Sequence, residues 1–362
     1  MLLAGGGTAG HTSPLIATAA ELRRLHPEVE LTAVGTPRGL ETTVVPAAGL
    51  PLELIPPVPM PRRPGSDLVK VPARLLGAVR AADRVLARFR PHAVLGFGGY
   101  VSTPVYLAAR RRGLPIVLHE QNTLPGLANR LAARFATRVY TSFPATSLPH
   151  AVCIGLPLRR AIADLDRAGE RAPARVAFGL PPDRPTLLVS GGSQGARSIN
   201  TAVAEARDTL LAAGISVLHV LGPKNLGGAT RTTDPSTGAV YSPVSYVQRM
   251  EQAYAAADLM LGRCGAGTVL ETAAVALPAI FVPYPHGNGE QRRNAALVVE
   301  AGGGMLLDDA DCTGSWVAAR VPALLHDPDR LTGMSRALGG VAHRDAAETL
   351  ARETWKVAQA WG

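Results

Sequence analysis

The sequence predicts an α/β protein built from two doubly wound domains. Short apolar runs of strand length alternate with helical patterns from end to end. Glycine-rich turns follow those runs in both halves, where open α/β sheets place their ligands. A chain of 362 residues, 47% of them hydrophobic, is long enough for two cores of ordinary size.

The totals narrow the class. Three cysteines, Cys153, Cys264 and Cys312, are an odd number without metal-ligand spacing, which fits a reducing compartment. The opening MLLAGGG lacks the basic start of a signal peptide, and no run reaches the roughly 18 apolar residues of a membrane span. The net charge is +9 and uneven. Nineteen Lys and Arg face eight Asp and Glu through Arg160, and eighteen face twenty afterwards, so +11 is followed by −2. The basic half suits an anionic partner, and charge alone does not choose among nucleic acid, lipid and phosphate. An aromatic content of 4% argues against nucleic acid, which needs stacking platforms.

In chain order, residues 1–4 form a short strand, Gly5–His11 a turn, and a helix runs to about Leu25. Gly5, Gly7 and Gly10 match GxGxxG in the right context, but the next strand (about 30–35) ends in Thr36-Pro37-Arg38, without the acid a dinucleotide ribose needs. Spacing alone leaves His11 as an ordinary helix-start residue. The proline-rich 52–64 is expected to be irregular. Residues 67–90 read as a helix, with Pro72 tolerated in its first turn. Its apolar face (Leu75, Leu76, Val79, Leu86, Phe89) and basic face (Lys70, Arg74, Arg80, Arg84, Arg88) fit a solvated surface helix or one lying on an anionic membrane. A strand at 93–96 enters a second turn, Gly96–Ser102. A strand at 115–118 runs into His119-Glu120-Gln121-Asn122, four polar residues at a carboxyl end. A helix at about 126–135 and a strand at 138–141 complete the first half.

Residues 153–159 read as the crossing between halves, followed by a proline-rich polar segment to Arg184. A strand at 186–189 meets Ser190–Arg197, a nest of backbone amides that lacks the Gly-Lys-Ser/Thr of a Walker A loop. A strand at 216–221, a Gly/Thr-rich loop at 226–238, and a short strand and helix within 245–258 lead to the most informative stretch, Arg263–Gly304. There a small turn, Cys264–Thr268, opens a helix containing Glu271. A buried strand (278–282) and a polar loop with His286, Asn288, Glu290 and Gln291 come next, then a helix from about Arg292. Glu271 is placed to accept from two ribose hydroxyls, and Gln291 and Asn294, three apart, could hold a hydroxyl-rich ligand. The turn by itself fits an ordinary capped helix equally well. The pattern after Gly304 is helical, with Trp316 and Trp355 as packing residues.

Six motifs therefore occur in order: GGGTAGH (5–11), GFGGYVS (96–102), HEQN (119–122), GGSQGAR (191–197), GAGTVLE (265–271) and HGNGEQRRNA (286–295). Over essentially the whole chain this set resembles the MurG family, the UDP-N-acetylglucosamine transferases that complete lipid II for bacterial peptidoglycan. The GNGEQR form and the Arg/Ala content resemble its actinobacterial branch.

The resemblance implies a GT-B fold, two Rossmann-like domains facing a central cleft, and an inverting transfer of GlcNAc to the 4-hydroxyl of the MurNAc of lipid I. It implies an acceptor and membrane domain at 1–157, a UDP-GlcNAc domain at 158–342, and a last helix (about 343–362) packing back on the first. Glu271 resembles the ribose-binding acid, Val247 the residue whose backbone reads the uracil, and Ser193, with Arg159 nearby, a diphosphate contact. Ala266, Gly267 and Thr268 approach sugar and diphosphate through backbone amides, Gln291 and Asn294 hold GlcNAc, and Thr8, Ala9, Gly10 and Asn122 close over the donor. The turns holding Gly7, Gly98, Gly99 and Tyr100 would take the acceptor diphosphate. His11 is the first candidate for the base and Glu120 the second. Implied partners are UDP-GlcNAc, lipid I, the anionic inner membrane surface and cell-wall synthesis proteins, with no nucleic acid. The implied location is peripheral, on the cytoplasmic face of the cell membrane. No cofactor or metal ligand set is called for, a divalent ion being at most stimulatory.

Three positions depart from the family pattern. Cys264 stands where Ser is usual, Leu156 where a polar residue is common, and Thr12-Ser13 where an apolar residue follows the His. They leave open a paralogue acting on another acceptor, in antibiotic biosynthesis or resistance, and a non-catalytic nucleotide-sugar binder is the reading from a different class. The short first strand points to a start codon upstream of Met1.

Overall fold

Leu2-Leu3-Ala4 shows why the strands form where they do. Leu2 and Ala4 belong to the core on one side of a sheet and Leu3 to the core on the other, so the strand is apolar on both faces, as a central parallel strand must be. The computed structural model describes residues 1–58, 66–192 and 195–361. They form two units, Met1–Arg159 with Arg344–Gly362, and Arg160–His343. Arg159, expected in the second domain, is the last residue of the first segment.

The first unit contains β1 (Leu2–Gly5), α1 (Ala9–Leu25), β2 (Thr32–Gly35), α2 (Glu41–Ala47), β3 (Leu52–Leu54) and α3 (Ser66–Phe89). It continues with β4 (Val94–Gly98), α4 (Ser102–Arg111), β5 (Ile116–Glu120), α5 (Leu127–Ala132), β6 (Arg138–Thr141) and β7 (Ala151–Cys153). The strands form one parallel sheet in the order β3-β2-β1-β4-β5-β6-β7. The order reverses between β1 and β4, the neighbours that carry the first two glycine turns. The last helix of the chain, Ala346–Trp361, packs on α1, placing Leu350 and Ala351 in the same core as Leu3, Leu15 and Leu22.

In the second unit come α6 (Arg160–Ala163), α7 (Arg167–Ala177), β8 (Thr186–Ser190), α8 (Arg197–Ala212), β9 (Ser216–Val220), β10 (Thr232–Thr233) and β11 (Val240–Val244). They are followed by α9 (Met250–Ala256), β12 (Leu259–Gly262), α10 (Ala266–Ala274), β13 (Ala279–Phe281), α11 (Glu290–Glu300), β14 (Gly304–Leu306), α12 (Gly314–Leu325) and α13 (Pro328–Ala337); the last helix of the first unit is thus α14. The sheet order is β10-β11-β9-β8-β12-β13-β14, parallel except for β10. Its reversal lies between β8 and β12, again the strands with glycine turns.

Several expectations are corrected. Residues 52–54 are a strand, because Leu52 and Leu54 pair with β2 before the prolines begin; the rest of that segment, 59–65, lies outside the described residues. The polar stretch to Arg184 holds α6 and α7, the latter started by Asp166, whose carboxylate accepts from the amides of Ala168 and Gly169. The strand expected within 245–258 lies earlier, at 240–244. Glu290 and Gln291 belong to α11, which starts at Gly289 in a left-handed conformation (φ +77°) that glycine adopts freely. Strand β14 interrupts the pattern read as helical after Gly304.

Candidate active site

At the sheet reversal of the first unit the two glycine turns touch. Gly98 and Gly99 both have φ +84°, and a Cβ on Gly99 would come within 2.5 Å of the Gly6 carbonyl oxygen, so only glycine fits there. Ser102 Oγ reaches the carbonyls of Ala4 (3.0 Å) and Gly98 (2.7 Å), tying the strands together below the turns. Thr8 precedes the first turn of α1 without a side-chain cap bond, and its Oγ1 lies 3.0 Å from His11 Nδ1. His11 is half-buried. Burial lowers its pKa, opposed by the Glu41 carboxylate and a hydrogen bond with the Gly6 backbone, which leaves a neutral imidazole at pH 7. Thr8 and Gly10 are exposed and Ala9 half-buried around it.

Two of the four turn residues expected to take the acceptor diphosphate have already committed their amides. Gly7 N–H donates to Glu41 Oε2 (2.8 Å) and Gly98 N–H to Tyr106 Oη (3.2 Å). The exposed Tyr100 and half-buried Gly99 stand beside them.

The end of β5 is a buried polar network. Glu120 is 2% exposed, and its carboxylate accepts from the amides of Asn122 (2.9 Å) and Gly126 (3.0 Å) and from Asn129 Nδ2 (3.0 Å). Burial raises its pKa against the pull of those donors. Asn129 Oδ1 accepts from Tyr106 Oη (2.9 Å), so one chain of bonds links the β4 turn to the β5 turn. His119 lies within 2.9 Å of the Gly155 carbonyl through Nε2, and burial pushes its pKa to about 4, so it is neutral and donates that bond. Tyr106 and Asn129 escaped sequence reading because their partners lie on other elements.

At the reversal of the second unit, the first turn of α10 presents Ala266, Gly267 and Thr268. A Cβ on Gly265 or Gly267 would meet nothing within 4 Å, so the backbone of that helix start is open. One turn on, Tyr254 Oη donates to Glu271 Oε2 at 2.6 Å, from α9. Tyr254 is 1% exposed. Val247 is buried just before α9. Gln291 Oε1 accepts from the Tyr284 amide (3.0 Å), which orients its side chain along the β13–α11 loop. Asn294, three positions on from Gln291 in α11, is fully buried. Ser193 lies outside the described residues.

Arg263 braces this region. Its Nη1 donates to the carbonyls of Val282 (3.2 Å) and Pro283 (3.1 Å) and to Asp309 Oδ1 (2.5 Å), and its Nη2 to Ser198 Oγ (3.0 Å). Arg263, Asp309 and Ser198, with Arg197, Glu205, Tyr284 and His286, line an open cavity of about 670 Å³ beside the start of α8. Neither Glu271 nor Gln291 lines it.

The departures from the family pattern are mainly packing positions. Cys264 and Leu156 are buried, and burial pushes the Cys264 thiol to about 12. Thr12 is buried with its hydroxyl on the Thr8 carbonyl (3.2 Å), and Ser13 is half-buried. The three cysteines are free. Among the described residues no cluster of His, Cys, Asp or Glu could hold a metal ion, and no helix is long and apolar enough to cross a membrane. On α3, Arg80, Arg84 and Arg88 are exposed, as is Leu76, while Ala78, Ala82, Val85 and Leu86 face the core.

Residues 1–141 match the glycosyltransferase family 28 N-terminal domain and residues 186–350 its C-terminal domain. A UDP-N-acetylglucosamine–N-acetylmuramyl-(pentapeptide) pyrophosphoryl-undecaprenol N-acetylglucosamine transferase of a Nocardioides species is 60% identical over 97% of this chain and 96% of its own length. The Streptomyces avermitilis protein of the same name is 54% identical over 97% and 96%. Among solved structures, Acinetobacter baumannii MurG superposes with a TM-score of 0.75 at 26% identity, covering 98% of this chain and 99% of that one. The calicheamicin glycosyltransferase CalG4 (TM-score 0.66, 19% identity, 99% and 97% covered) shares the fold alone.

Proposed function

The chain belongs to the MurG family, within glycosyltransferase family 28 and with the GT-B fold, and from that membership we propose how its residues divide the work of one transfer. The enzyme moves GlcNAc from UDP-GlcNAc to lipid I, forming lipid II for peptidoglycan. The observation that carries this is the 60% identity to a named transferase over 97% of the chain.

In this reading the second unit holds the donor. Glu271 accepts from the ribose hydroxyls, and the Val247 backbone meets the uracil edge. The open start of α10 offers backbone N–H groups and a partial positive charge to the diphosphate as UDP leaves. Gln291, already oriented by Tyr284, contacts the sugar. Ser193 and Arg159 add diphosphate contacts, and Thr8, Ala9, Gly10 and Asn122 complete donor binding.

His11 takes the proton from the acceptor hydroxyl. What supports it over Glu120 is access and charge: His11 is half-buried and neutral at pH 7, whereas Glu120 is buried with three donors on its carboxylate. Glu120 instead shapes the turn that presents Asn122. With the amides of Gly7 and Gly98 committed, Gly99 and Tyr100 are the better candidates for the acceptor diphosphate. The exposed arginines of α3 are proposed to hold the first unit on an anionic membrane surface.

UDP release from UDP-GlcNAc with a short-chain lipid I analogue tests the assignments. His11→Ala should lower kcat by about 10²–10⁴-fold with little change in the donor KM. Glu271→Ala should mainly raise that KM. Unchanged kcat in His11→Ala would remove His11 as the base.

A further inference from the structure

The second strand ends without an acid, but one reaches back to that end from the next helix and is turned inward. Glu41, in the first turn of α2, has no exposed surface. One carboxylate oxygen accepts from the Thr36 amide (2.9 Å) and Thr36 Oγ1 (2.9 Å) at the end of β2, and the other from the Gly7 amide (2.8 Å). Glycines make room for it: a Cβ on Gly6 would come within 2.6 Å of a carboxylate oxygen and one on Gly39 would collide with it. Burial pushes its pKa up, but the donors from Gly7 and Thr36 bring the balance below the usual value, so Glu41 is ionised at neutral pH.

A buried negative charge beneath a glycine turn has two consequences. It consumes Gly7 N–H and opposes an anion at that point, so the first turn is poorly suited to a phosphate. It also fixes the turn that leads through Thr8 to His11, with Thr8 Oγ1 on His11 Nδ1. We propose that Glu41 is a positioning residue for the transfer: it mounts the Gly7–Thr8 turn so that His11 meets the acceptor hydroxyl. The Glu41 carboxylate also opposes the lowering of the His11 pKa by burial. The inference rests on the reading of His11 as the base.

Among the described residues, Glu41 is the charge that acts on His11. Strands β1 (LLAG) and β4 (VLGFG), against which α1 packs, carry no titratable side chain, and Glu41 is the only one on α2 (ETTVVPA). On α14, Glu348 pairs with Arg24 at the other end of α1, and Glu353 bonds to Tyr140. Of the neighbouring turn, Tyr100 is exposed.

The test is a double-mutant cycle on UDP release, with kcat followed across pH for the wild type, Glu41→Gln, His11→Ala and the double variant. Glu41→Gln should lower kcat about 10-fold or more and move the acidic limb of the kcat profile to lower pH. In the His11→Ala background the same change should alter kcat by less than about two-fold, because the residue it acts through is gone. Equal fold-losses in both backgrounds, or a wild-type kcat and acidic limb in Glu41→Gln, would overturn the proposal. If Glu41→Gln does not fold, Thr36→Val removes one donor and keeps the charge; its kcat loss should be smaller and should also vanish in His11→Ala. The His11→Ala arm alone reports on the base: without a kcat loss there, both readings fall, whereas a loss there with an additive cycle removes only Glu41.

Discussion

At the scale of one residue, the Tyr254 phenol helps to orient Glu271. Tyr254 is held rigidly in the core by its own burial, so its 2.6 Å bond fixes one carboxylate oxygen and the rotamer of the whole side chain. A hydrogen bond to a charged group contributes about 1.5–3 kcal/mol, so Tyr254→Phe should raise the UDP-GlcNAc KM about 10- to 100-fold while kcat stays near wild type. With a 2′,3′-dideoxyribose donor the two enzymes should differ much less, since the hydroxyls that Glu271 would bind are absent. An equal penalty with both donors would mean that Tyr254 supports the fold rather than the carboxylate. Glu271 was legible because its distance from the glycine turn is local. Tyr254 was not, since it reaches Glu271 from another helix, 17 positions earlier. Glu41 was missed for a related reason: the acid was sought at the strand end, and it comes back to Thr36 from five positions downstream.

At the scale of elements, the buried strands and long amphipathic helices were readable because every residue obeys the period. Strand β8, TLLVS, is buried throughout, and α1 ends where expected, at Leu25. The short pieces were not: α2, α6, β7 and β14 have seven residues or fewer, and tertiary packing outweighs so small a local preference. Helix α14 was legible as a helix, but its packing on the first domain came from the family resemblance, because nothing local in its sequence says that Leu350 fills the core above α1. Leu350 is fully buried there with Leu3, Leu15 and Leu22. Leu350→Ala should cost about 2–5 kcal/mol in the first unit, seen as an earlier thermal transition, with the donor KM unchanged. A wild-type melting profile would show that α14 contributes little to that core.

On the whole-molecule scale, each unit repeats one device: a parallel sheet whose strand order reverses between two strands that end in glycine turns. Glycine spacing made those turns readable without an alignment, and their order along the chain identified the family. The charge split, +11 through Arg160 and −2 beyond, supports the proposed attachment of the first unit to an anionic membrane surface. Binding to vesicles containing phosphatidylglycerol should therefore fall steeply from about 0.1 M to about 0.5 M salt, and Arg80→Glu with Arg84→Glu should weaken it further. Salt-independent binding would point to an apolar anchor instead. The central claim is the transfer itself, and acceptor-dependent release of UDP measures it most directly. UDP should appear from UDP-GlcNAc only when the lipid I analogue is present, at a rate that saturates with that analogue. Donor that binds without turning over in its presence would contradict the assignment to lipid I.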